Sequence, residues 1–346
     1  MLKGQKVIEN CNECTCSEIA GRAEMVCDTD PCMMEERVID SVNNDAAATW
    51  RASNHTPFWG HKLSEGLKLR LGTLTPQKST LGMYPLRPVY DPNKLPRRFD
   101  ARQEWAGQLA PIQDQGWCGS SWAISTAAVA SDKFVIMSKG LEHPLLSAQQ
   151  LVACNSRGQR SCSGGYLDRA WQFIRKFGLV DEECLPYNSK EQRCKMPRKG
   201  TLQSSGCKVP EGTGRLERYH VSPAYRLGNE TDIMYEILNS GPAQATLKVY
   251  QDLFSYTGGI YRKTRNVPLE FGYHSVRLVG WGEEDGTKYW VAANSWGEHW
   301  GEGGYFRIRR GVNECDVETF VIGAWANTIN PNSNNRFPAN MLRRRG

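Results

Sequence analysis

The sequence predicts an α+β domain of two lobes with a cleft between them, preceded by a small cysteine-rich segment. Three observations carry this expectation. Apolar residues recur at helical spacing in the first part of the main domain, and short β-rich runs separated by glycine turns follow. A length of 346 residues at 40% hydrophobic content can bury one large core or two ordinary ones. The 12 cysteines exceed what a routine cytosolic enzyme carries and point to an oxidising compartment.

Residues 1–35 hold Cys11, Cys14, Cys16, Cys27 and Cys32 among polar residues with little apolar periodicity, the pattern of a small module held by disulfides in place of a core. Five is odd, so one cysteine pairs outside the segment or stays free. A zinc reading of Cys11-x-x-Cys14 is weak because no histidine falls in the cluster and the compartment favours bridges, so no metal is expected. Residues 36–95 contain Trp50-Arg51-Ala52-Ser53-Asn54, Phe58-Trp59-Gly60 and Leu69-Arg70-Leu71-Gly72-Thr73, then a proline-rich stretch ending at Pro96.

Residues 96–326 form the main domain. Small and apolar residues at three- and four-residue spacing predict a helix over Ser121–Met137, with Gly140 just past its end. A second helix is expected over Gly165–Phe177, closed by Gly178, and a third over Thr231–Asn239, entered from Asn229 and stopped by Gly241-Pro242. The period then changes. Ala243–Val249, Ser275–Trp281, Tyr289–Asn294 and Tyr305–Ile308 read as strands. Residues 327–346, asparagine-rich and ending in arginines, lack any core-forming pattern and are expected to be disordered.

A net charge of +6 favours acidic partners weakly, and without a basic helix or an RNA-binding motif it gives no nucleic-acid role. No run of 18 apolar residues occurs, so no membrane span is expected. The start, Met1-Leu-Lys-Gly-Gln-Lys, has no apolar signal region although the cysteines suggest secretion, and the expectation is that the true beginning is missing. Asn54-His55-Thr56 and Asn229-Glu230-Thr231 are acceptor sequons, making Asn54 and Asn229 candidate glycosylation sites.

The chemistry concentrates in Gln115-Gly116-Trp117-Cys118-Gly119-Ser120-Ser121-Trp122, Gly272-Tyr273-His274-Ser275-Val276 and Asn294-Ser295-Trp296-Gly297. These segments resemble those of papain-type cysteine proteases, with serine standing where that family has its nucleophilic cysteine. The resemblance implies a helical lobe and a β-barrel lobe, with Ser121 at the nucleophile position, His274 as base, Asn294 as its orienter and Gln115 as oxyanion donor. It places Gly164 and Gly165, in Cys162-Ser163-Gly164-Gly165, and Trp296 along the substrate groove. Phe320 falls near the position that closes the S2 pocket, with a plain core phenylalanine as the alternative. It pairs Cys118 with Cys162 and suggests Cys154 with Cys194 and Cys184 with Cys207, although exchange among those four stays open. Cys315 is left as a free buried thiol. No cofactor is implied.

Residues 36–95 resemble the propeptide of cathepsin B-like proteases, which lies across the cleft in that family. The loop that gives cathepsin B its exopeptidase activity carries adjacent histidines, whereas Lys195–Gly206 here has none. Exopeptidase activity is therefore not implied.

Serine changes the chemistry at the cleft. A thiol of pKa about 8.5 falls to about 3–4 beside histidine at a helix N-terminus, giving a preformed thiolate. A hydroxyl is too weak an acid for this and must lose its proton during attack. Serine enzymes support that step with an aspartate, and its exchange for asparagine costs about 10⁴ in kcat. Ser121, His274 and Asn294 thus combine a serine with the orienter suited to cysteine.

With the Cys-x-x-Cys-x-Cys spacing at the front, which resembles a truncated von Willebrand factor type C module, the chain as a whole resembles the tubulointerstitial nephritis antigen family. That resemblance implies a secreted, non-proteolytic protein that binds extracellular matrix or secreted proteins and can hold peptide in its cleft. Two alternatives stand beside it: a cathepsin B-like cysteine endopeptidase whose cysteine has been exchanged for serine, and a slow serine hydrolase acting through Ser121.

Overall fold

In the computed structural model, which describes residues 5–19, 22–197, 202, 207, 218–265 and 267–328, the cysteine-rich front forms an antiparallel sheet. Strands β1 (Lys6–Glu9), β2 (Asn12–Ile19) and β3 (Arg22–Cys27) pair in that order, and disulfides Cys11–Cys32 and Cys14–Cys27 tie the sheet to itself and to the chain that follows. The expected tail lies almost wholly outside the described residues, as does most of Lys195–Gly206.

Next come α1 (Glu36–Asn43), β4 (Trp50–Ala52), α2 (Leu63–Leu69) and α3 (Lys78–Leu81). This stretch is built into the main domain. β4 is the edge strand of the large sheet, and Met33, Met34, Trp50, Phe58, Leu63 and Leu71 share one core with Phe254, Trp296 and Trp300. Each such buried side chain contributes about 1.5–3 kcal/mol, so the segment is held by the same term that holds the domain.

The main domain opens with β5 (Phe99–Asp100) and α4 (Ala101–Glu104), then its helices α5 (Ser121–Met137), α6 (Ala148–Cys154) and α7 (Leu167–Phe177). α5 is buried on nearly every side because it lies between the sheet and the other helices. α7 buries Leu167, Ala170, Trp171 and Ile174, one stripe of helical spacing. It begins at Leu167, two residues later than expected, because the Gly165 backbone is extended and bridges to Thr73.

β6 (Tyr225–Arg226) and α8 (Glu230–Ser240) lead to β7 (Ala243–Val249), β8 (Tyr256–Tyr261), β9 (Gly272–Glu284), β10 (Thr287–Ala293), β11 (Tyr305–Arg309) and β12 (Phe320–Gly323). The nine-stranded sheet runs β4-β8-β11-β10-β9-β7-β12-β6, with β5 added on β9. Among the described residues, only the β11–β8 strand pair of this sheet is parallel. The papain-like fold expected from the motifs is therefore present: a helical layer around α5, a strand lobe, and the two joined at β9. Buried Arg277 on β9 donates to Asp132 of α5 at 2.7 Å and to the Ala110 carbonyl at 2.8 Å, locking the lobes together.

Candidate active site

Ser121 is the first residue of α5 and is completely buried. The loop before it is pinned by the Cys118–Cys162 disulfide and by the Gly119 N–H donating to the Cys162 carbonyl at 2.8 Å. Gly119 has no room for a side chain, since a β-carbon there would stand 2.5 Å from the Cys162 carbonyl oxygen.

His274 lies on β9, also fully buried. Its Nε2 meets Asn294 Oδ1 at 2.7 Å, and that same oxygen accepts from the Ser295 N–H at 2.8 Å. Two N–H groups on Oδ1 fix the amide orientation, so His274 carries its proton on Nε2 and presents a bare Nδ1. Nδ1 is buried and has no hydrogen-bond partner. Burial pushes the imidazole down to about 4, against the opposing Asn294 bond and with help from the nearby Arg70 charge. The Trp296 ring packs against His274 at 5.2 Å.

Ser121 Oγ makes its hydrogen bond to Thr73 Oγ1, at 3.0 Å. Thr73 Oγ1 donates to Ser275 Oγ at 2.9 Å, Ser275 Oγ meets Ser125 Oγ at 2.9 Å, and Ser125 Oγ donates to the Ser121 carbonyl at 2.7 Å. A hydroxyl has one proton to give, so this sequence sends the Ser121 proton to Thr73 and away from His274. Gln244 Nε2 closes the network from below, donating to Ser125 Oγ at 2.6 Å.

The two groups expected to serve as oxyanion donors, Gln115 Nε2 and the Ser121 N–H, are occupied as well. Gln115 Nε2 donates to the Leu71 carbonyl at 2.9 Å, and the Ser121 N–H donates to the same oxygen at 3.2 Å. Ser295 Oγ holds Gln115 in place by donating to its Oε1 at 2.7 Å. The Leu71 carbonyl thus takes up both of the N–H groups expected to receive an oxyanion.

The occupying segment is fastened along its length. Trp296 Nε1 donates to the Arg70 carbonyl at 2.6 Å, the Thr73 N–H to the Tyr273 carbonyl at 3.1 Å, and the Leu74 N–H to the Gly165 carbonyl at 2.9 Å. The Gly165 N–H donates back to the Gly72 carbonyl at 2.9 Å. Arg70, 3% exposed, pairs with Asp114 at 3.0 Å and stacks over Phe58 and Trp117. Gly72, at φ +111°, is pressed so closely on Gly119 that a β-carbon would come within 2.0 Å of its backbone.

The structure thus gathers Ser121, His274, Asn294, Gln115, Gly165 and Trp296 around one segment, with Gly164 buried beside it, where a β-carbon would lie 3.0 Å from the Gly72 carbonyl. Phe320 is 2% exposed on β12 and packs within the helical core, the place of a core phenylalanine. Sequence reasoning missed Thr73, Ser125, Ser275 and Gln244, because four ordinary polar residues far apart along the chain announce nothing until folding joins them. The one available signal was Gly72, a glycine amid larger residues.

Cys154–Cys194 and Cys184–Cys207 are bonded, each with Cα atoms 4.7 Å apart. Cys16 and Cys315 are free thiols; Cys16 is buried, Cys315 half-buried, and burial pushes the Cys315 thiol well up, aided by Glu314 and Asp252. Asn54 and Asn229 are exposed, and Asn229 also caps α8 by accepting from the Asp232 N–H at 2.8 Å. Among the described residues, the cluster with metal-ligand spacing is Glu9, Cys14 and Cys27, and its two sulfurs are bonded to each other, which removes the thiolates a metal needs. No described helix is long and apolar enough to cross a membrane.

The sequence profile of papain family cysteine proteases matches residues 95–325. The chain is 42% identical over 344 residues to the tubulointerstitial nephritis antigen-like protein of Homo sapiens, covering 92% of this chain and 72% of that protein. It is 37% identical over 256 residues to cathepsin B-like cysteine proteinase 4 of Caenorhabditis elegans, covering 66% of this chain and 75% of that one. Among solved structures, proCathepsin B S9 from Trypanosoma congolense aligns with a TM-score of 0.71 at 29% identity, covering 85% of this chain and 99% of that chain.

Proposed function

Because the chain belongs to the papain family of cysteine proteases, and within it to the tubulointerstitial nephritis antigen-like group, we propose that it is a secreted, non-proteolytic protein that binds extracellular matrix or other secreted proteins. The observation carrying this reading is the Ser121–Thr73 hydrogen bond: the hydroxyl at the nucleophile position spends its proton on a segment of its own chain. Leu71 in the oxyanion site and the neutral His274 support it, since a thiolate–imidazolium pair has no counterpart here. Five disulfides support the extracellular setting. Residues 36–95 act as a resident occupant of the groove, and binding of partners falls to the outer surface.

A second reading, slow hydrolysis through Ser121, is favoured by the preserved Gln115 and Ser121 N–H donors, which alone supply about 10³–10⁴ over water in a serine enzyme stripped of its triad. Incubating the intact protein and Ser121→Ala with peptide and ester substrates separates the readings. Equal rates support the non-proteolytic protein, and Ser121-dependent turnover of proteins overturns it. Retention of the intact protein on decellularised matrix, with release by salt or competing matrix protein, tests the binding half.

A further inference from the structure

The outer face of the helical lobe carries a belt of cations that meets no carboxylate in an ion pair among the described residues. Arg157, Arg175, Lys176, Arg193 and Lys195 are exposed, and none forms an ion pair among the described residues. The fold brings them together. Arg169 on α7 donates to the Gly158 carbonyl at 2.7 Å, which seats its guanidinium beside Arg157, and Asn155 Nδ2 donates to the Arg169 carbonyl at 3.3 Å. The Cys154–Cys194 disulfide then draws Arg193 and Lys195 to the same edge. Along α7, Arg169 and Lys176 stand two turns apart, about 10 Å, on the solvent face. Beyond the helix, Arg218 Nη1 donates to the Phe177 carbonyl at 3.5 Å and extends the belt.

Four carboxylates lie in this region, and none of them is ion-paired to the belt among the described residues. Asp168 accepts from Thr80 Oγ1 at 3.3 Å, and Glu191 from the Cys162 N–H at 3.1 Å. Glu182 is drawn inward to the Tyr187 N–H at 2.6 Å, and burial pushes its carboxyl up to about 7, so it carries only part of a charge at neutral pH. Glu183 stays exposed.

We infer that this belt is a docking surface for a sulfated linear polysaccharide. Guanidinium forks suit tetrahedral oxyanions, and a row of cations along one helix suits an anionic chain with repeated charges. The choice of polysaccharide over nucleic acid or anionic lipid rests on the extracellular placement proposed above, where disulfides persist. It names the chemistry of one partner of the matrix-binding reading.

The test is binding of the full chain to immobilised heparin at about 0.15 M salt, beside hyaluronan, single-stranded DNA and phosphatidylserine vesicles. The intact protein should bind heparin in preference to the other three, with affinity falling linearly in log–log form as salt rises. The variant R157E/R175E/K176E should bind at least about tenfold more weakly, or elute at correspondingly lower salt, while R87E/K94E/K288E, reversing exposed cations elsewhere, should match the parent. Circular dichroism and thermal melting confirm that both variants fold. Equal heparin binding by the belt variant and the parent, no retention of the parent, or equal binding to DNA or vesicles overturns the proposal. Loss of binding to matrix proteins with heparin binding intact would count against the matrix-protein reading and leave the polysaccharide site standing.

Discussion

Thr73 Oγ1 stands 3.0 Å from Ser121 Oγ and donates its own hydrogen bond to Ser275 Oγ at 2.9 Å, so a residue of the segment before the main domain is the hydrogen-bond partner of Ser121. The histidine expected to serve as base is fully buried, and its Nδ1 has no hydrogen-bond partner. Chemistry and occlusion are therefore coupled through a single hydroxyl pair, and separate substitutions can part them.

Thr73→Val keeps the shape of the side chain and removes its oxygen, leaving Ser121 Oγ and Ser275 Oγ each short of a partner in a buried site. The expected cost is about 1–3 kcal/mol of unfolding free energy. Chemical denaturation reads it directly; an unchanged midpoint would mean that the hydroxyl chain contributes nothing.

Gly72→Ala places a β-carbon 2.0 Å from the Gly119 backbone at a φ of +111°, so the segment must leave its seat. We expect faster hydrogen exchange at the Ser121 N–H, which loses its Leu71 acceptor, and new proteolytic nicking between α2 and α3. Wild-type protection in this variant would mean that the contact is not what holds the segment down.

Ser121→Cys installs the family nucleophile beside His274, Asn294 and Gln115. In the intact chain the thiol should resist iodoacetamide and cleave no peptide, because the Leu71 carbonyl occupies the Gln115 and Ser121 N–H groups beside it. Combined with Gly72→Ala, it should become alkylated and hydrolyse fluorogenic peptides. Brisk turnover by the single variant would disprove occlusion.

The pH dependence has a defined sign. His274 sits at about 4 in the folded protein against about 6.5 in an unfolded chain, so between those values the unfolded chain holds the extra proton and stability rises with pH. The contribution is intact above about pH 6.5 and is lost towards pH 4, an effect of order 3 kcal/mol. Glu182, raised to about 7 from an ordinary 4.5, works in the opposite sense: its contribution is full below 4.5 and is lost as pH climbs to 7. Subtracting the stability curve of His274→Gln from that of the wild type isolates the histidine, and the difference should grow more favourable to the wild type from pH 4 to pH 6.5. A flat difference would show that His274 is not buried in neutral form.

Much of this protein was legible from its residues alone. The helical period of Ser121–Met137 matches α5 end to end, and the alternation into glycine-bounded β-rich runs matches β7, β9, β10 and β11, because these patterns reflect local backbone preference and one-sided burial. α6, β8 and β12 were not legible. The first is a helix of only seven residues, and the two strands carry ordinary runs whose pairing is decided by neighbours far away in sequence.

The sequence by itself determined a serine at position 121, the motifs that carry His274, Asn294 and Gln115, and the family of the fold, since identity and spacing along the chain carry that information. Only the tertiary structure decided where the Ser121 proton goes and what fills the oxyanion site. Thr73, Leu71 and Arg70 meet Gln115, the helix start, β9 and Trp296 across separations of 44 to 226 residues, and such contacts exist only once a shared core has drawn the segment into place.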